Sequence, residues 1–139
     1  QQTGLALQFA TADCKADRKL VLAAVRKTGE ALQYATSDLK GDSQVVLAAA
    51  KRSASALRHA AEECKADRQF VLAAVEQNGE ALRYATQDLK CDREIVVAAV
   101  LSCVHALQYA AEELLNDSSF AVEARSKLFI LRSKPRGKA

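Results

Sequence analysis

The chain has 139 residues, a length that suits one domain with a modest core. Half of the residues are hydrophobic, but alanine supplies much of that share, Trp and Met are absent and aromatics make up 5%; this lets helices approach closely and argues against a large preformed cofactor cavity. The net charge of +3 hides an asymmetry, since residues 1–124 hold 14 Lys or Arg against 17 Asp or Glu while residues 125–139 hold six bases and no acid.

In chain order, Gln1-Gln2-Thr3-Gly4 come first, without an initiator Met and at a phase that ends a unit of the pattern that follows. A removed targeting peptide or further upstream repeats are therefore expected. From Gly4 to Arg125 a 25-residue repeat runs five times without insertion or deletion. Ala6-Leu7, Ala31-Leu32, Ala56-Leu57, Ala81-Leu82 and Ala106-Leu107 open the units, and Asp17, Asp42, Asp67, Asp92 and Asp117 recur at one phase. A fixed period in this range marks a solenoid whose units bury their apolar faces on one another.

Within a unit, Glu30 to Leu39 places Ala31, Leu32, Ala35 and Leu39 on one face of a first predicted helix. The recurring Asp then N-caps a second helix, which in the first unit carries Leu20, Val21, Ala24 and Val25 on one face, widened by Leu22 and Ala23. Gly29 and Gly79, with Gly4 at the same phase, predict helix ends in positive φ. A strand reading of the Val-Val-Leu runs loses to the alanine content, the Asp and Gly punctuation and the absence of alternating polarity. The expected fold is all-α, a right-handed or superhelical α-solenoid of about five short helix-turn-helix units, each helix about ten residues long. Residues 1–124 form the array and residues 125–139 a terminal capping segment with a basic tail.

The two ends differ. Glu123 stands where other units have Ala, and Arg125 where they have Val25, Ala50, Val75 and Val100, so the last unit reads as a cap. The first unit shows no such softening and is expected to present an apolar side. The longest run without a charged residue, Ile95 to Ala111, is shorter than the roughly 20 apolar residues a membrane span requires. It reads as a buried helical hairpin.

The string Leu-Lys-x-Asp-Arg-x-[Ile/Val]-Val, then Ala-Ala-Val, then Asn-Gly-x-Ala-Leu-x-Tyr-Ala is clearest in Gln69 to Ala85 and Asp88 to Val100. Over about residues 4–122 it resembles a tandem repeat known only as a domain of unknown function, common in algal, other protist and some bacterial proteins. The resemblance implies helical repeats without an established enzymatic activity, and its frequency in algae implies a plastid or photosynthetic setting. The last unit departs most from the motif.

No catalytic constellation stands out. His59 takes the phase of Phe9, Tyr34, Tyr84 and Tyr109 and reads as a packed aromatic substitute, with a metal, pigment or partner ligand as the alternative. His105 falls at an exposed helix start. The pairs Glu62-Glu63 and Glu112-Glu113 point about 100° apart on a helix and make poor acid and base pairs. The four cysteines, Cys14, Cys64, Cys91 and Cys103, form no C-x-x-C, and Cys14 and Cys64 replace the Leu39, Leu89 and Leu114 of other units, so they read as small buried hydrophobes in a reducing, intracellular compartment. No phosphate loop or metal motif occurs. Lys15, Lys40, Lys65 and Lys90 recur beside acids and give no basic stripe for specific nucleic-acid binding. No cofactor is expected.

The signals for binding lie late in the chain. The loop Leu101-Ser102-Cys103-Val104 is apolar where its counterparts, such as Arg26-Lys27-Thr28-Gly29, are polar, so Leu101, Cys103 and Val104 are candidate partner contacts, or are buried under the C-terminal segment. Leu128, Phe129, Ile130 and Leu131 form an apolar cluster outside the repeat register, followed by Arg132, Lys134, Arg136 and Lys138, with Pro135 ending any helix. This segment folds back as a cap or hooks into a larger assembly, and the basic stretch meets nucleic acid, an anionic membrane surface or an acidic protein face unless it stays solvated. The leading expectation is a non-catalytic scaffold or adaptor, an accessory subunit bound to other protein subunits. A narrower version is an auxiliary subunit of a plastid photosynthetic supercomplex, and an enzyme or metal protein is disfavoured.

Overall fold

The structure, a computed structural model, describes residues 6–133, and every regular element among them is helical. Five long helices recur at the repeat period: α1 (Arg18–Lys27), α2 (Ser43–Arg52), α3 (Arg68–Gln77), α4 (Arg93–Ser102) and α5 (Ser118–Ser133). Asp17, Asp42, Asp67 and Asp92 cap the first four as expected, each accepting two backbone amides two and three residues ahead. Asp117 likewise accepts the Ser119 amide at 2.8 Å. These acceptors satisfy donors that a helix start leaves without intrahelical partners.

The expected first helix of the unit does not form as one piece. Glu30 to Leu39 is instead a 3-10 helix, Gly29–Tyr34, and a short α-helix, Ser37–Lys40, so each complete unit has three helices rather than two. Between them Ala35 is extended, with φ −72° and ψ 158°. The break has a cause in the neighbouring unit: the Thr36 amide donates to the Lys15 carbonyl at 3.3 Å, Ala61 to Lys40 at 2.9 Å, Thr86 to Lys65 at 3.3 Å and Ala111 to Lys90 at 3.0 Å. An amide spent on the previous unit is lost to an intrahelical ladder. The apolar face itself is as read, since Ala31, Leu32, Ala35 and Leu39 are all buried.

Equivalent helices of successive units pack side by side, α1 on α2, α2 on α3, α3 on α4 and α4 on α5, with the 3-10 helices doing the same in a second layer. Between the layers lies one continuous core, in which Val21, Val25, Leu32, Val45, Val46, Val75, Leu82, Val96 and Val100 are essentially sealed from solvent. Stability therefore comes from contacts between neighbours, because helices this short are marginal alone.

The glycines do not act as expected. Among the described residues no glycine has positive φ. Gly29 and Gly79 are needed for close approach: a Cβ on Gly29 would lie 2.7 Å from the Ala49 carbonyl oxygen, and one on Gly79 would lie 2.3 Å from that of Ala99. The 3-10 helix that each glycine starts thus lies tight against the end of its own long helix. Ala54 and Val104 occupy the same phase in the third and fifth units, and their 3-10 helices stand off. The array consequently alternates. The long helices are closest at α1 to α2 and α3 to α4, whereas the inter-unit amide bonds are shorter, at 2.9 and 3.0 Å, at the other two junctions. The structural period is a pair of units.

Candidate functional site

A charged ladder ties the units together along the N-terminal ends of the long helices. Arg18 Nε donates to Asp42 at 2.7 Å and its Nη2 to Gln44 at 2.8 Å; Arg68 Nε donates to Asp92 at 2.7 Å and also engages Glu94; Arg93 Nη2 reaches Asp117 at 2.8 Å and Ser119. The first residue of one long helix thus holds the capping aspartate of the next. Ser43 takes that phase in the second unit, and Asp67 is correspondingly more exposed than Asp42 and Asp92. Reading the aspartates as caps missed this second task, although Arg18, Arg68 and Arg93 at a common phase carried the signal.

These contacts shift the carboxylates. The Arg18 side chain, opposed by burial and helped by the Val45 and Gln44 amides, holds Asp42 below its ordinary 3.8. Burial pushes Asp92 up, but Arg68 and the Ile95 amide outweigh it and the net direction is down. The Ser55 hydroxyl, opposed by burial and joined by Arg58, lowers Glu30 from 4.5. Ser119 lowers Asp117, and Lys127 lowers Glu123. A carboxylate depressed by folding contributes stability fully above its unfolded value, 3.8 for Asp and 4.5 for Glu, and loses it as pH falls through the lower folded value. The melting temperature is therefore expected to stay level from pH 7 to about 5 and fall below about pH 4, less steeply in high salt because these groups are largely solvated. Thermal melts across that range check it, and a melting temperature that rises on acidification contradicts it.

The ladder ends in a different kind of surface. The first four long helices stop at Thr28, Ser53, Asn78 and Cys103, extended residues from which the chain turns back. At the corresponding positions of the last unit stand Leu128 and Phe129, without a small or polar stop, and α5 runs on to Ser133. Its added turns leave Phe129 74%, Ile130 54% and Leu131 46% exposed, while Leu128 packs on the core. Val104, 55% exposed, holds its own 3-10 helix off α5.

The gap so opened is a groove of about 190 Å³, lined by Val104, Leu107, Leu115, Phe120, Arg125 and Leu128 among others. It continues into a cleft of about 290 Å³ lined by Val104, Arg125, Leu128, Phe129 and Arg132. The two apolar clusters read separately in the sequence thus meet in one surface at Val104, Leu128 and Phe129, with Arg125 and Arg132 at its edge. Leu101 and Cys103 are half-buried and line neither depression, and Ile130 and Leu131 are exposed beside them. Lys134 and Arg136 lie outside the described residues, as does Pro135. Sequence reading missed Leu107 and Leu115 as parts of this surface. Leu115 takes the phase of Lys15, Lys40, Lys65 and Lys90, a signal that was available.

Elsewhere the polar clusters serve packing. His59, half-buried, sits with Nε2 3.3 Å from Glu30 and 3.1 Å from Arg58 Nε, serving one partner at a time at the contact between two 3-10 helices. His105 is exposed, its Nδ1 3.9 Å from Cys103 Sγ. All four cysteines are free, and burial, with Asp67 and Glu63 nearby, pushes the Cys64 thiol up and away from the reactive thiolate. Among the described residues no three His, Cys, Asp or Glu side chains converge to hold a metal, and no helix is long and apolar enough to cross a membrane.

No curated protein and no solved structure matches the chain. Three stretches, residues 1–40, 42–90 and 67–115, match a family described as Domain of unknown function (DUF4116), and the two longer ones each span about two of the units. With most of its length matched in overlapping register, the chain belongs to the DUF4116 repeat family.

Proposed function

We propose that this protein is a non-catalytic scaffold or adaptor, an accessory subunit that grips another protein through the C-terminal end of its helical array. The observation that carries this reading is the continuous apolar surface of Val104, Leu107, Leu115, Leu128 and Phe129, held on rigid helices and edged by Arg125 and Arg132. Exposed apolar groups grouped this way are unusual for a surface with no partner. The arginines favour a partner segment that is apolar at its centre and acidic at its flanks, since charge complementarity fixes orientation and speeds encounter.

The test is capture of partners by the tagged protein against a Val104→Ser/Phe129→Ser variant. Both side chains are mostly exposed, so the melting temperature is expected to move by no more than about 2 °C, while retention of the partner falls at least tenfold, as for loss of central contacts in an interface. Equal retention by the folded variant would sink the proposal. An Arg125→Glu/Arg132→Glu variant is expected to weaken capture most at low salt. The plastid setting, supported by the resemblance to algal repeat proteins, is a narrower form of the same reading, checked by co-fractionation with pigment-protein complexes.

A further inference from the structure

The opposite end of the array presents a surface that the other four units bury. Leu20 is 45% exposed, whereas Phe70 and Phe120 at the same phase are 6% and 2% exposed. Ala6 is exposed where Ala31, Ala56, Ala81 and Ala106 are buried, and Ala10 and Ala23 follow the same trend. With Leu7, Ala24 and Lys27 these residues line a groove of about 310 Å³. In each later unit this face is covered by the unit before it, so the four existing junctions specify what fits.

Three features recur at those junctions. The preceding unit's 3-10 helix and long helix cover the apolar face, its lysine carbonyl accepts the amide at the phase of Thr11, and, at three of the four, an arginine at the start of its long helix holds the capping aspartate. The first unit presents all the complementary parts: the apolar groove, Thr11, and Asp17, whose Oδ1 accepts only the Lys19 and Leu20 amides of its own helix among the described residues. The far end of the array does not present the mating half. Ser118 replaces the arginine, as Ser43 does at the second junction, and α5 runs on to Ser133 through the phase where each earlier long helix stops and the next 3-10 helix starts. The continued α5 stands where the 3-10 helix of a following unit lies at the other junctions, which disfavours a second copy as the occupant.

We propose that the face of Ala6, Leu7, Ala10, Leu20, Ala23 and Ala24 is a docking surface for one further helical unit of this same repeat, with arginine at the start of its long helix. The surface is independent of the C-terminal one. The fourth unit, residues 79–103, supplies the type, because its junction with the fifth unit carries both the arginine grip and the lysine carbonyl bond.

The experiment keeps the full chain and joins a copy of residues 79–103 to Gly4 in place of residues 1–3, which sets the copied Arg93 against Asp17 and the copied Lys90 carbonyl against Thr11 by the spacings of the existing junctions. The expected result is a rise in melting temperature of at least about 5 °C, with slow hydrogen exchange in the added long helix and at Thr11. Asp17→Arg is expected to remove most of that rise in the extended chain, and in the original chain to cost only what loss of the helix cap costs. An added unit that exchanges freely, or an unchanged melting temperature, overturns the proposal. So does a concentration-dependent dimer of the original chain that Leu20→Glu abolishes, because a second copy would then be the occupant. Neither outcome bears on partner capture at the C-terminal end.

Discussion

Leu82→Ala is expected to cost about 3 kcal/mol, within the 2 to 5 typical of a large-to-small change in a core. Leu82 is completely buried in the 3-10 helix Gly79–Tyr84, which packs on both α3 and α4 and on the 3-10 helices before and after it. Neighbours fixed on several sides cannot collapse into the space, so the lost transfer energy and the cavity add. Against a total stability of about 5 to 15 kcal/mol this is a large fraction, and in an array held by nearest-neighbour contacts it falls at a central junction. Leu107 occupies the same phase in the fifth unit and is 37% exposed, because no later unit covers it among the described residues. Leu107→Ala is expected to cost less than half as much, and denaturant titration of the two variants checks both. Equal losses would mean that position in the stack does not decide the energetics.

The comparison of Leu82 with Leu107 also shows how far the fold is legible in a sequence. Period, capping aspartates and the buried identity of Ala31, Leu32, Ala35 and Leu39 follow from local rules, because capping and apolar spacing act within a few residues. The division of Glu30–Leu39 into two helices does not, since the same spacing suits one helix or two. What decides is the bond from Thr36 to Lys15 in the previous unit, which no reading of one unit contains. The surface at the C-terminal end was half legible. Val104, Leu128 and Phe129 break the repeat's own pattern and stand out, whereas Leu107 is the same residue that forms core in earlier units and is exposed where no later unit covers it among the described residues. Leu101 has the opposite history: expected in a loop, it lies in the last turn of α4, at a phase polar in the first three units, and packs partly on the core.

Substituting Gly79 by valine is expected to cost about 3 kcal/mol, the upper part of the range for overpacking a well-filled site. The glycine has no unusual φ, so the loss cannot be conformational, and a β-carbon would even be favoured by about 0.4 to 1 kcal/mol through the unfolded chain. The steric effect wins because the obstacle is backbone. The new Cβ would meet the Ala99 carbonyl oxygen at 2.3 Å and the Cys103 Cβ at 2.9 Å, neither of which is a flexible side-chain end. Relief requires the 3-10 helix to lift off α4, the arrangement that Val104 already imposes on the last unit, where a groove is the result. Here, however, lifting also strains the packing against the fifth unit. Gly29→Ala, whose Cβ would meet the Ala49 carbonyl oxygen at 2.7 Å, is expected to cost about 1 kcal/mol, less than the valine because the clash is milder and the side chain smaller. Calorimetric melts of both variants, with hydrogen exchange at Gly79 and its neighbours, separate the cases, and a fully stable Gly79→Val protein would show that close approach is not why glycine stands at that phase.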